Sequence, residues 1–322
     1  MTSSEEVKRL IQSALYHKEI KRVIRAFQIN GLNLVILKGL PLYLFYDGSL
    51  PKRTYVDCDI LVNIQYSSCA ENFFLTLGYK KLNDSFMAGH HSQLEKEKKQ
   101  NYYKIIRGVP IVFDIHFEVA FMMTQLGGLD ALYPQKLISR LTEECLKTTR
   151  KITFNGESSQ ILDPKHLILY LALHFFHHNY RGVFRLEFMD KVIRKVIRRR
   201  KFNTDLINQL IKSARIYRLQ NFIYPTFILL IKYFKTPIPQ ILLEGLKPKE
   251  PLVRAYISSL TKADISEAEP RMNAGVIRFI NLYILSPESF WKKMIIFLHP
   301  HVFRIIFWVF REKLFFSLLN QK

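Results

Sequence analysis

The chain has 322 residues, 48% of them apolar, which is enough to fill one large core or two modest ones and excludes a disordered tail. Its 48 lysines and arginines against 27 aspartates and glutamates give a net charge of +21, so polyanions are its natural partners: nucleic acid, nucleotide phosphates or anionic lipid. Cys58, Cys69 and Cys145 have no metal-binding spacing, and their odd number argues against a disulfide framework. The first ten residues carry no apolar signal core, so a cytoplasmic protein is expected.

Residues 5–29 place Leu10, Ile11, Leu15, Ile20, Val23 and Ile24 at helical spacing, with Ser3 three before Glu6 as a capping box and Asn30-Gly31 as the stop. The apolar run 34–37, closed by Lys38-Gly39, predicts a buried strand entering a tight turn. A short helix over 40–46 and a loop over 47–51 then lead to a second strand at about 58–63, and a helix over 67–77 ends at Gly78. Residues 79–82, about 93–106 and 110–119 read as extended, the last two as an antiparallel hairpin turned at Arg107-Gly108.

From Asp163-Pro164 onward the pattern changes. Aspartate at an N-cap with proline at the first helical position announces a helix, and helical spacing dominates from there on. The expected fold class is therefore α+β. A catalytic domain over residues 1–155 carries a small mixed sheet, and a mainly α-helical domain over 156–322 is expected to bind an acceptor or partner. The boundary is placed in the stretch containing Asn155-Gly156. Residues 290–319 are rich in aromatic and aliphatic side chains, but Lys292, Lys293, Arg304, Arg311 and Lys313 interrupt them, so no transmembrane segment is expected. Helices packed on the rest of the domain are the first expectation there. Peripheral membrane contact through Trp291 and Trp308 is the second.

The chemistry concentrates in the run Tyr-Val-Asp-Cys-Asp-Ile-Leu-Val over residues 55–62. Side chains two apart on a strand share a face, so Asp57 and Asp59 project together while Cys58 and Ile60 turn toward the core. Two such carboxylates are hard oxygen ligands suited to Mg²⁺, whose coordination is completed by water and substrate phosphates. A neighbouring strand should supply a third, and Asp114, in the apolar run 112–116, is the candidate. With two ions held this way, in-line attack on an α-phosphorus becomes feasible. Upstream, the Lys38-Gly39 turn lets backbone amides at a helix start approach a triphosphate, and Arg53 offers a forked phosphate contact.

At this point the chain resembles a family. The run Ile-Leu-Lys-Gly at 36–39, Arg53, Asp-x-Asp-Ile-Leu-Val at 57–62, Leu-Gly-Tyr at 77–79 and Asp-Ile-His at 114–116 are similar, in order and spacing, to the uncharacterised nucleotidyltransferases of the polymerase β-like superfamily. Asp163-Pro164 with His174, and residues 184–190 from Phe184-Arg185-Leu186 to Asp190, continue the likeness, which spans about residues 30 to 195. The resemblance implies a small mixed sheet flanked by helices, nucleoside triphosphate binding, and Asp57, Asp59 and Asp114 as metal ligands, Asp114 also accepting the acceptor's proton. Superfamily members usually have Gly-Ser or Gly-Gly at the phosphate turn. This chain has Gly39-Leu40, so Lys38 is expected to take the place of the serine.

His116 shares a strand face with Asp114 and is expected behind the metal ligands. His174, His177 and His178 have zinc-compatible helical spacing but no following glutamate, so a packed helix face is the preferred reading. Residues 191–201 carry seven cations and no acid, with Lys191, Arg194, Lys195, Arg198 and Arg199 on one stripe that a nucleic-acid backbone would fit. Two functions compete. The first is an Mg²⁺-dependent transferase, using two ions in the superfamily manner to move a nucleoside monophosphate from a triphosphate to a hydroxyl on RNA, such as tRNA, or on protein. The second is a scaffold without turnover whose basic helices hold nucleic acid or membrane.

Overall fold

The computed structural model describes residues 3–48, 50, 57–82, 99–120, 122, 129–154, 156–198, 203–266 and 271–296. Helix α1 spans Ser3–Ile29 and buries the stripe Tyr16, Ile20, Val23, Ile24 and Phe27. Leu10 and Ile11, expected on that stripe, are exposed, because the buried face begins only at the middle turns of the helix. Its end is the expected one: Gly31 takes φ +67°, and the amides of Gly31 and Leu32 return to the carbonyls of Gln28 and Phe27.

Among the described residues seven strands form one mixed sheet. They are β1 (Val35–Lys38), β2 (Cys58–Leu61), β3 (Lys80–Lys81), β4 (Lys99–Ile106), β5 (Val109–His116), β6 (Thr149–Phe154) and β7 (Glu157–Leu162), in the spatial order β3-β4-β5-β2-β1-β7-β6. Helix α2 (Leu40–Asp47) follows β1 directly, and α3 (Ser67–Thr76) follows β2 after a 3₁₀ turn, Ile64–Tyr66. β2 is parallel to β5, β1 is parallel to β7, and the other pairings are antiparallel. The β4–β5 hairpin turns where expected, with Arg107 at φ 51° and Gly108 at φ 76°, as a two-residue turn matched to the strand twist requires.

Residues 149–162, which include the boundary expected near 150–160, form a second hairpin. Its strand β7 pairs with β1, so the sheet runs on past residue 155. Gly156 at φ +82° sits in its turn.

Alternation within the strands selects the two faces of the sheet. Cys58, Ile60, Tyr102, Phe113 and Ile115 are all buried on the side of α1 and α3. Phe74 of α3 stacks on Tyr102 at 4.8 Å between ring centroids and meets Phe113 and Tyr79 at 5.3 Å each. On the same side the buried Glu19 carboxylate accepts from Tyr79 Oη (2.9 Å) and Arg22 Nη1 (2.8 Å), with Lys104 Nζ at 3.4 Å. These contacts answer a charge that would otherwise be costly to bury.

The chain divides into two compact units, residues 1–120, 138–171 and 187–210 in one and 121–137, 172–186 and 211–322 in the other. The first holds the sheet together with parts of α4 (Gln135–Lys147), α5 (Pro164–His177), α6 (Val183–Arg198) and α7 (Thr204–Ile216). α5 starts as predicted: Asp163 Oδ1 accepts from the His166 amide at 2.8 Å, a regular N-cap, and the buried His166 ring lies between Asp163 and Glu144.

The second unit is helical. It is built around α8 (Gln220–Phe234), α9 (Gln240–Leu246), α10 (Pro251–Lys262), α11 (Arg271–Leu285) and α12 (Phe290–Ile295). Phe176, Tyr180, Phe222 and Phe227 fill its core, and the Tyr133 and Tyr180 hydroxyls donate to the carbonyls of Tyr217 and Phe222. No helix of the described residues is long and apolar enough to cross a membrane. In α12, Phe290 and Trp291 are exposed, while Trp308 lies outside the described residues.

Because Phe74 joins α3 to three strands, Phe74→Ala should cost about 3–5 kcal/mol of folding free energy. Its neighbour Leu75 is exposed, and Leu75→Ala should change stability by no more than about 0.5 kcal/mol. Urea denaturation of the two variants beside the parent tests this, and equal midpoints would contradict the packing described.

Candidate active site

The face of the sheet opposite α1 and α3 carries the acidic residues. In register, Lys38 of β1 lies beside Asp59 of β2, Asp59 beside Asp114 of β5, and Asp114 beside Asn101 of β4. Residues in register on adjacent strands share a face, so the four form one row across the sheet. A register shift between Ile36 and Lys38 brings the lysine into this row. Lys99 lies opposite His116 one step further along the same face.

The row is held together by charge. Lys38 Nζ lies 2.8 Å from Asp59 Oδ2 and 3.3 Å from Asp57 Oδ2, so one ammonium joins both members of the Asp-x-Asp pair. Asp59 Oδ2 is buried and accepts no well-aligned hydrogen bond, and its contact with Lys38 is therefore an ion pair. Its other oxygen, Oδ1, is 2.8 Å from His116 Nε2. An ionised carboxylate can only accept, which assigns the proton to Nε2. Lys99 Nζ donates to Asp114 Oδ2 at 2.7 Å.

Asp59 is 2% exposed. Burial opposes its ionisation, but the Lys38 charge, the His116 hydrogen bond and Lys99 outweigh that penalty and hold its carboxyl below the ordinary range. Asp57 goes the other way: burial and the Asp59 charge raise it, and Lys38 only partly compensates. Burial disfavours the charged form of Lys38 and of Lys99, yet the facing carboxylates raise both above the usual lysine value.

The turn after β1 is built for close approach. Gly39 has φ +110°, which favours glycine, and a Cβ there would stand 3.4 Å from Cys58 Sγ. α2 begins at Leu40, but Pro41 removes one of the amides that a helix start offers to an anion. Arg53 lies outside the described residues.

Asp59, Asp114 and His116 each offer an atom within 4.8 Å of the others. Two carboxylates and an imidazole in this arrangement suit a divalent cation, and Asp57 is linked to them through Lys38. His174, His177 and His178 do not form such a group among the described residues; their rings contact one another at 4.6–6.4 Å.

Sequence reasoning missed three residues of this region. Lys99 sits in a lysine-rich stretch where nothing singles it out, but counting back from the Arg107-Gly108 turn puts it opposite His116 and Asn101 opposite Asp114. Tyr170 of α5 is buried, and burial together with the Asp59, Asp57 and Asp114 charges pushes its hydroxyl well above the ordinary value. Helical periodicity alone marks Tyr170 only as core.

The basic stripe of α6 is largely committed within the protein. Lys191 contacts the Tyr43 hydroxyl, Asp47 and Glu187; Lys195 donates to the Phe45 carbonyl; Arg194 pairs with Asp190 at 2.8 Å. Tyr43 also stacks on Phe188 at 5.7 Å, so α2 and α6 pack through this contact.

In comparison with known proteins, residues 4–235 match the model of a family described as uncharacterised nucleotidyltransferase. No curated protein and no solved structure matches the chain.

Lys38→Met leaves Asp59 buried without its main counter-charge and should cost about 3–5 kcal/mol at neutral pH. Asp59 titrates below its unfolded value of 3.8, so its stabilisation is complete above that pH and is lost as pH falls through the folded value. Lys38 titrates above 10.5, so its share persists through neutral pH and is lost only as pH rises beyond that value. The stability difference between parent and variant should therefore be flat from about pH 5 to 9 and shrink in stronger acid. Denaturation across pH measures it, and a difference that grows toward acid would refute the pairing.

Proposed function

The chain belongs to the uncharacterised nucleotidyltransferase family, and from that premise we propose that it is a cytoplasmic, magnesium-dependent enzyme that moves a nucleoside monophosphate from a nucleoside triphosphate to a hydroxyl acceptor. The observation that carries this reading is the register of β2 on β5, which sets Asp59 beside Asp114 with His116 within reach of both. Asp57, Asp59 and Asp114 would hold the cation, or two such ions, and His116 steadies Asp59 through its 2.8 Å contact. Bound there, the metal supplies positive charge to the phosphates and to the departing pyrophosphate.

The reaction needs one bond made and one broken. The acceptor oxygen attacks the α-phosphorus, the bond from that phosphorus to the bridging oxygen breaks, and pyrophosphate leaves with the bonding electrons. The acceptor proton passes to the Asp114 carboxylate and from there to solvent. Lys38, already at the carboxylates, supplies the cation that faces the triphosphate, and the positive φ of Gly39 lets backbone approach it. Arg53 is the further phosphate ligand proposed.

The scaffold alternative loses support at α6, where Lys191, Arg194 and Lys195 are occupied by intramolecular partners.

Asp57→Asn should lower magnesium-dependent pyrophosphate release from nucleoside triphosphates by at least about 100-fold. Label transfer from each α-³²P triphosphate, in parent and variant, is the assay. Turnover that survives unchanged in Asp57→Asn would remove this function.

A further inference from the structure

The transfer reading leaves the acceptor unassigned, and the sheet has a side that no part of that reading uses. Beyond Asp114, away from Lys38, the same face continues onto β4 and β3. In order it presents Lys99, Asn101 and Tyr103 on β4, and Lys80 in register with Tyr103 on β3. The opposite faces of these strands are spent on structure: Tyr102 stacks on Phe74, Lys104 donates to the Leu77 carbonyl, and Lys81 pairs with Glu71. The carboxylate face is different. Lys80 is exposed and Tyr103 half-buried.

Asn101 adds a second kind of observation. Its Oδ1 is buried and accepts no hydrogen bond in the structure, although it lies next to Asp114 in the row. A buried carbonyl oxygen of this kind is costly unless something donates to it. Asp114, the proposed proton acceptor, cannot donate while ionised. A hydroxyl brought up to Asp114 for deprotonation would have its neighbouring hydroxyl beside Asn101.

We propose that Lys80, Tyr103 and Asn101 form the acceptor seat of this site and that it fits the 3′-terminal nucleotide of a single-stranded RNA. Tyr103 stacks on the terminal base, Lys80 pairs with the backbone phosphate, and Asn101 Oδ1 accepts from one of the vicinal ribose hydroxyls while the other faces Asp114. An aromatic platform flanked by a cation is the sequence-tolerant way of holding a single strand. The side-chain spacing supports it: residues two apart on a strand are about 6.7 Å apart and adjacent strands about 4.8 Å, so the base, phosphate and hydroxyl contacts all fall within one nucleotide's reach of Asp114. The net charge of +21 favours the same class of partner.

This assignment rests on the transferase reading, and its test separates the two. A fluorescein-labelled 12-nucleotide RNA is titrated by anisotropy with Mg²⁺ and a non-hydrolysable triphosphate present, while triphosphate affinity is measured independently by calorimetry. Tyr103→Ala should weaken RNA binding roughly tenfold or more, and Tyr103→Phe should restore it. Lys80→Ala should reduce the salt dependence by about 0.7 in the log–log slope. The parent should prefer the 3′-hydroxyl oligonucleotide over its 2′,3′-dideoxy counterpart several-fold, and Asn101→Ala should erase that preference. Triphosphate affinity should stay within about twofold in all four variants. RNA affinity indifferent to Tyr103→Ala and Lys80→Ala would overturn the seat whatever the nucleotide titration gives, as would label transfer to protein side chains in place of RNA. Loss of triphosphate binding sensitivity to Asp57→Asn would instead strike the transferase reading alone.

Discussion

A carboxylate buried at the middle of a β-sheet is tolerated only when a cation answers it, and at Asp59 that cation is Lys38. The ammonium reaches Asp57 as well, so one residue bridges the pair on which the proposed chemistry depends. Lys38 stands there because β1 shifts register just before it, and because Gly39 turns the chain away immediately after. Lys99 does the same for Asp114 from the other side. The site is thus a pair of neighbouring carboxylates flanked by a lysine on either side, lying across four strands. Removing Lys38 leaves a buried charge at Asp59 rather than a gap.

This array explains why the family likeness follows the chain in such scattered pieces. Each strand contributes one or two residues to a common face, while the residues between them fill the core under α1 and α3. The Lys-Gly, Asp-x-Asp and Asp-Ile-His motifs are segments of that face, separated in sequence and adjacent in register.

Much of this was legible before any fold was known. Alternation in the acidic run set Asp57 and Asp59 on one side and Cys58 on the other, and in the structure Lys38, expected to face a phosphate, contacts both aspartates. The Arg107-Gly108 hairpin and the Asp163 cap follow from turn and capping chemistry that acts locally. What was not legible depends on distant pairing. Asn155-Gly156 is a strong hairpin signal, but without knowing that β7 would lie against β1 it also reads as a break between domains. Lys99 and Asn101 acquire meaning only once β4 is aligned on β5. The basic stripe shows the reverse error: helical periodicity finds the cations, but cannot see that Tyr43, Phe45 and Asp47 of α2 will be waiting for them.

The parallel pairing of β1 with β7 carries a consequence for how the protein is made. Val35 is hydrogen-bonded in register with a residue, Gln160, about 125 positions later in the chain. At ordinary ribosomal speeds of about 5–20 residues per second, one edge of β1 emerges and remains bare for on the order of ten seconds before its partner is synthesised. β1 is almost wholly apolar, so during that interval the nascent chain exposes the kind of strand edge that chaperones bind and that aggregates recruit. The order of synthesis therefore leaves the β1–β7 side of the sheet as the last part to close.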